Sequence, residues 1–249
     1  MDLDLQVDPR DEAAVARAHA AGLKIVACTG RPYSGAVQWV KRFGLTEPVI
    51  CYQGAQVRAV DGGMLLDNGI PHDIAMEVIR FARERRLHVN AYRDDLLLVE
   101  HDTEEGREYA HHSGLEPHIV SDLDEAIGPT TPKLVIVAAA EIIDALLPEV
   151  RERWKDRLFV ATSLPEYLEM TIPGADKGSA LEFLARYLGI PRDQVAAAGD
   201  GRNDLPMLEW AALGVAVSTA PPEVLAVAQQ VIGPPGSGGI ARLLDQLMS

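Results

Sequence analysis

Apolar residues in this chain gather into short runs, each of which ends in a polar turn and is followed by an amphipathic stretch. Such runs read as buried strands when flanking turn residues bound them, and the stretches between them carry helical spacing. Asp8 and Pro9 open the first helix, with Ala13, Val15 and Ala18 on one face and Gly22 beyond its end. An N-cap carboxylate, an early proline and a terminal glycine are the ordinary boundary signals of a helix. A strand to Cys28 follows, then a helix around Gly35–Phe43 closed by Gly44, then a strand over Pro48–Tyr52. Strand–helix alternation of this kind predicts a parallel sheet with right-handed crossovers, an α/β fold.

Near Asp61-Gly62-Gly63 the texture changes to a hairpin signal. From there to Glu166 strands at His88–Arg93, Leu96–Glu100 and Lys133–Ala138 are interleaved with helices, and Asp94-Asp95 reads as a turn between the first two. The parallel alternation resumes at Lys177 and runs through Gly214–Val217 to a final helix, Gly239–Met248. The expected organisation is therefore a core made of residues 1–66 and 167–249, with an α+β domain, 67–166, inserted into it. The Pro234–Gly239 stretch reads as a surface loop, and no internal repeat is present.

Three segments carry candidate chemistry. Val195 to Ala198 points at Gly199-Asp200, behind which lie Asn203-Asp204 and a new helix. Carboxylates at the C-terminal end of a parallel strand lie where open α/β sheets bind ligands. Hard oxygen donors suit Mg²⁺, which takes one or two carboxylates and completes its shell with water and phosphate oxygens. The run Leu23–Cys28 ends in Thr29-Gly30-Arg31-Pro32, where a hydroxyl and accessible backbone N–H groups are offered to an anion. Lys177 sits at the mouth of a helix, and lysine binds phosphate as a point charge. The bland alternatives are a helix cap at Asp200 or Asn203, a common Thr-Gly turn and a solvated lysine.

Taken in order, Thr29, Lys177 and Gly199-Asp200 with Asn203-Asp204 resemble the haloacid dehalogenase superfamily of phosphatases, in its Cof-like branch. The likeness extends through Cys28-Thr29-Gly30-Arg31-Pro32, Gln53-Gly54-Ala55, Tyr167-Leu168-Glu169-Met170, Lys177-Gly178-Ser179-Ala180-Leu181 and Asp204-Leu205-Pro206-Met207-Leu208. It implies a Rossmann-like parallel core with an inserted cap domain, and two-step phosphoryl transfer from a small phosphorylated metabolite, such as a sugar phosphate, through an aspartyl-phosphate. It assigns Asp200 to Mg²⁺, and Thr29, Gly30, Lys177 and Asn203 to the phosphoryl oxygens. Lys177 and Asp204 count as catalytic, Asp204 orienting Lys177 or a metal-bound water. Arg31 is expected to brace a carboxylate, and Tyr92, Arg93 and Asp94 of the cap are candidates to meet a leaving group.

The family's first motif, an apolar strand running into Asp-x-Asp-Gly-Thr, has no match here. Asp2-Leu3-Asp4 is not preceded by an apolar strand or followed by Gly-Thr, and it lies closer to Thr29 than the nucleophile does in relatives. The expectation is that the nucleophile lies just upstream of Met1, so that the chain as written lacks its central strand and is inactive by itself. Neighbouring strands would then keep unpaired backbone groups, at about 1–3 kcal/mol for each one buried, against a domain's net stability of about 5–15 kcal/mol. The alternative is an inactive regulatory relative that binds phosphate and Mg²⁺.

Composition bears mainly on exclusions. The 249 residues are 47% hydrophobic, ample for a sizeable core, and carry a net charge of −14, which opposes nucleic-acid binding and leaves no polybasic membrane patch. Lys177, Arg31 and the metal are expected to supply local positive charge. There is no signal-peptide pattern or long apolar run, and Cys28 and Cys51 read as reduced core residues, so a cytoplasmic protein is expected. The adjacent His111-His112 lack the spacing of a metal pair on a helix and read as surface residues.

Overall fold

The computed structural model describes residues 7–249, apart from the side chain of Ser163. The chain divides into two compact units, one formed by residues up to Leu65 together with Asp176–Ser249, the other by Leu66–Ala175.

In the first unit, Asp8 caps the helix Pro9–Ala20 by accepting from the Arg10 N–H at 2.8 Å, and Pro9 occupies its first turn. The strands Ala196–Gly199, Leu213–Val217 and Gln230–Ile232 form a parallel ladder, in register Ala197↔Gly214 and Ala216↔Val231. Strand Val49–Cys51 turns through Tyr52–Gly54 into the antiparallel strand Gln56–Arg58. That strand and Met64–Asp67 complete a three-stranded sheet around the predicted Asp61-Gly62-Gly63 hairpin. The helix Lys177–Tyr187 packs against Leu205–Trp210, and Pro9–Ala20 against Gly239–Leu247. No helix among the described residues is long and apolar enough to cross a membrane.

One expected strand differs. Leu23–Cys28 makes a single parallel bridge, Cys28↔Ile50, and no regular strand. Its apolar run is the composition of a strand buried within a sheet, but among the described residues it has a backbone partner on one side only. The two bonds that hold it run from Ile50 N–H to Ala27 O (2.9 Å) and from Thr29 N–H to Ile50 O (2.9 Å). The other side faces a groove of about 200 Å³ whose far wall is Ala196–Ala198.

The second unit is a six-stranded sheet in the order Phe159–Leu164, Tyr167–Thr171, Leu134–Val137, His88–Arg93, Leu96–Val99, Pro117–Ile119. All its pairs are antiparallel except the last. Its core brings Ile79, Phe81 and Trp154 of the helices His72–Glu84 and Ala140–Trp154 onto Leu134, Ile136, Leu168 and Met170. Phe81 and Trp154 meet edge-on at 5.3 Å. Asp94 (φ 51°) and Asp95 (φ 64°) make the two-residue hairpin turn in the left-handed region that such loops require.

The expected boundary at residue 167 shifts to 176. Tyr167–Thr171 pairs with strands on both of its edges inside this sheet, so its alternating apolar residues belong to the second unit's core.

Candidate active site

The site residues of the first unit sit on three turns that touch one another. The first follows the Leu23–Cys28 segment. Thr29 Oγ1 accepts from the Arg31 N–H at 3.1 Å, and Thr29 O accepts from the Gln53 N–H at 3.2 Å. The second is the Tyr52–Gly54 turn, in which Tyr52 (φ 51°), Gln53 (φ 61°) and Gly54 (φ 100°) all take positive φ. Two consecutive non-glycine residues there are strained by about 1–3 kcal/mol each, a cost that persists only where the surroundings enforce it. Here the enforcement is close packing: a Cβ on Gly54 would lie 2.1 Å from the Asp176 carbonyl oxygen, and one on Gly30 would lie 2.4 Å from Gln53 Nε2.

The third turn joins the strand Ala196–Gly199 to the helix Leu205–Trp210. Asp204 O δ2 accepts from the N–H groups of Asp200 and Gly201, both at 2.9 Å, and so folds the turn back on itself. Its other oxygen, Oδ1, lies 2.5 Å from Lys177 Nζ. Asn203 Nδ2 donates to Gln53 Oε1 at 2.8 Å, which ties this turn to the second.

Lys177 is placed by its own helix terminus. Asp176 accepts from the Ser179 N–H at 2.9 Å while Ser179 Oγ accepts from the Asp176 N–H at 3.2 Å, a reciprocal capping box. Lys177 is therefore the first helical residue, and its side chain and that of Asp204 are 7% and 5% exposed. A buried pair of this kind is held by geometry, because removing either charge leaves the other uncompensated. An ammonium has three N–H donors, so Asp204 leaves Lys177 capacity for an anion.

The structure thus brings Thr29, Gly30, Asn203, Asp204 and Lys177 into one connected set, with Asp200 on the same turn. Asp200 is exposed, and its carboxylate makes no hydrogen bond or ion pair among the described residues. No three His, Cys, Asp or Glu residues among those described gather into a metal cluster. One free hard-oxygen donor still fits Mg²⁺, whose remaining positions are filled by water and phosphate oxygens.

Several expectations turn out otherwise. Arg31 makes no ion pair among the described residues and is exposed just before the helix Tyr33–Arg42. Tyr92 is buried inside the second unit, its Oη bonded to that of Tyr109, whereas Arg93 and Asp94 stay exposed, Arg93 donating to Ala126 O at 3.0 Å. Asp2 and Asp4 lie outside the described residues. Gln53, which bonds Asn203, carries no site role in the sequence reading and enters it only within the Gln53-Gly54-Ala55 likeness.

Cys28 lies beside this set and is a free thiol, as is Cys51. Burial, foremost, pushes the Cys28 thiol up to about 12; Lys177 pulls it down and Asp204 opposes that pull. It is accordingly protonated at neutral pH and no nucleophile. Native protein treated with iodoacetamide at mildly alkaline pH should label slowly at half-buried Cys28 and not at buried Cys51, and unfolded protein should take up two; fast native labelling at Cys28 would contradict its raised pKa.

Comparison with known proteins identifies the family and the fold. The family model described as haloacid dehalogenase-like hydrolase matches residues 1–244. The chain belongs to that family. The crystal structure of TM0651 from Thermotoga maritima superposes with a TM-score of 0.91 at 29% identity, over 99% of this chain and 92% of that one. The hydrolase chain is 27% identical over 228 residues to the 5-amino-6-(5-phospho-D-ribitylamino)uracil phosphatase YitU of Bacillus subtilis, over 89% of this chain and 83% of that protein. It is also 29% identical over 241 residues to the chloroplastic endoribonuclease YBEY of Arabidopsis thaliana, covering 92% of this chain but only 41% of that protein's length.

Proposed function

We propose that this hydrolase cleaves phosphomonoesters of small phosphorylated metabolites with the help of Mg²⁺. The observation that carries the reading is the Lys177–Asp204 pair, whose carboxylate also shapes the turn that presents Asp200. The phosphatase named for the Bacillus subtilis relative supports the substrate class. A ribonuclease role is not taken over from the Arabidopsis protein, because the chain spans 41% of it and a net charge of −14 opposes a polyanionic substrate.

In this mechanism Lys177, the Thr29 hydroxyl, the Gly30 N–H and Asn203 hold the phosphoryl oxygens, and catalysis is mostly positioning and charge neutralisation. Asp200 would hold Mg²⁺, which when bound supplies charge neutralisation at the phosphoryl group. Asp204 keeps Lys177 aimed. A carboxylate attacks phosphorus as the ester P–O bond breaks, the leaving oxygen takes a proton, and water then hydrolyses the acyl phosphate to return the carboxylate and orthophosphate. That carboxylate is not identified among the described residues. The role of cap domain for Leu66–Ala175, which would select the leaving group, rests on the family resemblance.

The test pairs calorimetric binding of orthophosphate in the presence of Mg²⁺ with hydrolysis of p-nitrophenyl phosphate. The 249-residue chain is expected to bind phosphate with Mg²⁺ and to leave the ester intact. Turnover that Asp2→Asn abolishes would put the nucleophile at Asp2, and failure to bind phosphate in the presence of Mg²⁺ would overturn the reading. Asp200→Asn should weaken Mg²⁺-dependent phosphate binding about 100-fold, the scale of a lost metal contact, without changing the thermal midpoint. Unchanged binding would remove Asp200 from the metal. Binding without turnover in every form of the protein would favour the second reading, a regulatory relative that binds phosphate and Mg²⁺.

A further inference from the structure

Gln53 holds a conformation that its own backbone disfavours. It and Tyr52 take positive φ, 61° and 51°, although neither is glycine. Such residues persist where the surroundings over-determine them, and they cluster at functional sites. The surroundings here begin with the first turn. The Gln53 N–H donates to Thr29 O at 3.2 Å and the Tyr52 N–H to Arg31 O at 3.0 Å, so Gly30 lies between two backbone bonds. The Gln53 side chain then crosses Gly30 closely. A Cβ at position 30 would stand 2.7 Å from Gln53 Cδ and 3.1 Å from its Oε1, so only a glycine leaves room for the amide.

The amide placed in this way meets the third turn. Gln53 is half-buried and its Oε1 accepts from Asn203 Nδ2 at 2.8 Å, whereas Asn203 itself is exposed. The terminal torsion of an asparagine is broad and roughly two-fold, so a free side chain presents its oxygen about as readily as its nitrogen. At Asn203 the two ends have different neighbours. Nδ2 reaches the Gln53 oxygen, and Oδ1 lies over Gly201, 2.6 Å from where a Cβ on that residue would stand. With Gln53 Oε1 facing it, an Asn203 amide turned by half a rotation would set two carbonyl oxygens against each other.

We propose that Gln53 is a positioning residue for phosphate: it locks the Asn203 amide so that an N–H, and not the oxygen, faces the bound anion. The nitrogen of an amide carries two N–H groups, and Gln53 takes one of them, which leaves one for a phosphoryl oxygen. The reverse orientation would aim lone pairs at an anion and repel it. Gln53 acts through Asn203 and need not touch the ligand. Its strained turn is the fixed side of the pair, and ordering an exposed side chain before the ligand arrives lowers the cost of binding. The inference rests on the hydrolase reading, in which Gly30 and Asn203 hold phosphoryl oxygens, and adds the one side chain that contacts both.

The experiment titrates orthophosphate with Mg²⁺ into the parent chain, Gln53→Met, Asn203→Ala and the double variant. Methionine keeps the length of glutamine and removes the acceptor. Gln53→Met should bind phosphate about 3–10-fold more weakly, the worth of about one hydrogen bond, and should add nothing to the loss caused by Asn203→Ala. A merely structural role would give additive losses. Without phosphate, the Asn203 side-chain amide signals, identified by their loss in Asn203→Ala, should leave the free-asparagine positions in the parent and return to them in Gln53→Met. Gln53→Glu keeps an acceptor and should retain the parent positions. Equal binding by Gln53→Met and the parent, an equal loss in the Asn203→Ala background, or Asn203 signals that ignore the acceptor would each overturn the proposal and leave the hydrolase reading standing. A parent chain that binds no phosphate would overturn that reading and the proposal together.

Discussion

Asp204→Ala should lower the thermal midpoint of the first unit by roughly 6–20 °C. The substitution leaves Lys177 buried without its partner at 2.5 Å, and breaking a buried pair from one side costs about 3–5 kcal/mol. In a chain of this size each kcal/mol moves the midpoint by about 2–4 °C. Two further amides, those of Asp200 and Gly201, lose their acceptor in the same change. Asp204→Asn separates the terms, since the amide oxygen can still accept from the loop or from Lys177 while the charge is lost. Calorimetry of the three proteins is the measurement; an Asp204→Ala midpoint within about 2 °C of the parent would mean the pair contributes little.

Gly54→Ala should also be severe, by about 2–6 kcal/mol. At φ 100° an L side chain is strained, and the new Cβ would meet the Asp176 carbonyl oxygen at 2.1 Å, a backbone atom that cannot rotate away. To make room, the Tyr52–Gly54 turn or the start of the Lys177–Tyr187 helix has to move, and Lys177 moves with it. Phosphate binding should therefore fall together with stability. Gly22→Ala is the internal comparison: its φ is 97° but no atom lies within 4 Å of the added Cβ, so only backbone strain of about 1–2 kcal/mol remains. Equal losses at the two positions would show that packing against Asp176 contributes nothing.

Much of this fold is legible in the chain because local signals and packing agree. Asp8-Pro9 starts a helix where a cap and a fixed φ both favour it, and Asp94-Asp95 turns a hairpin because Asp tolerates the left-handed region. Leu23–Cys28 departs from its expected strand in one respect, because an apolar run reports burial and not whether a ladder partner exists on each side. The motif at Tyr167–Thr171 neighbours Lys177 in sequence and so suggests the core, whereas its pairing, which is non-local, puts it in the other sheet. In the site, Thr29, Lys177 and Asp200 with Asn203 and Asp204 were visible as motifs. The Gln53–Asn203 contact spans 150 positions, and nothing in the local sequence of either residue announces the other.

Asp176 is the residue at which the chain re-enters the first unit after Leu66–Ala175, and it is also the cap of the helix that begins with Lys177. The covalent link from the inserted unit to Lys177 is therefore one residue long. Asp176 is held by its capping box and by the close approach of Gly54 to its carbonyl, so the chain enters the first unit already anchored, with no flexible residue between the join and Lys177.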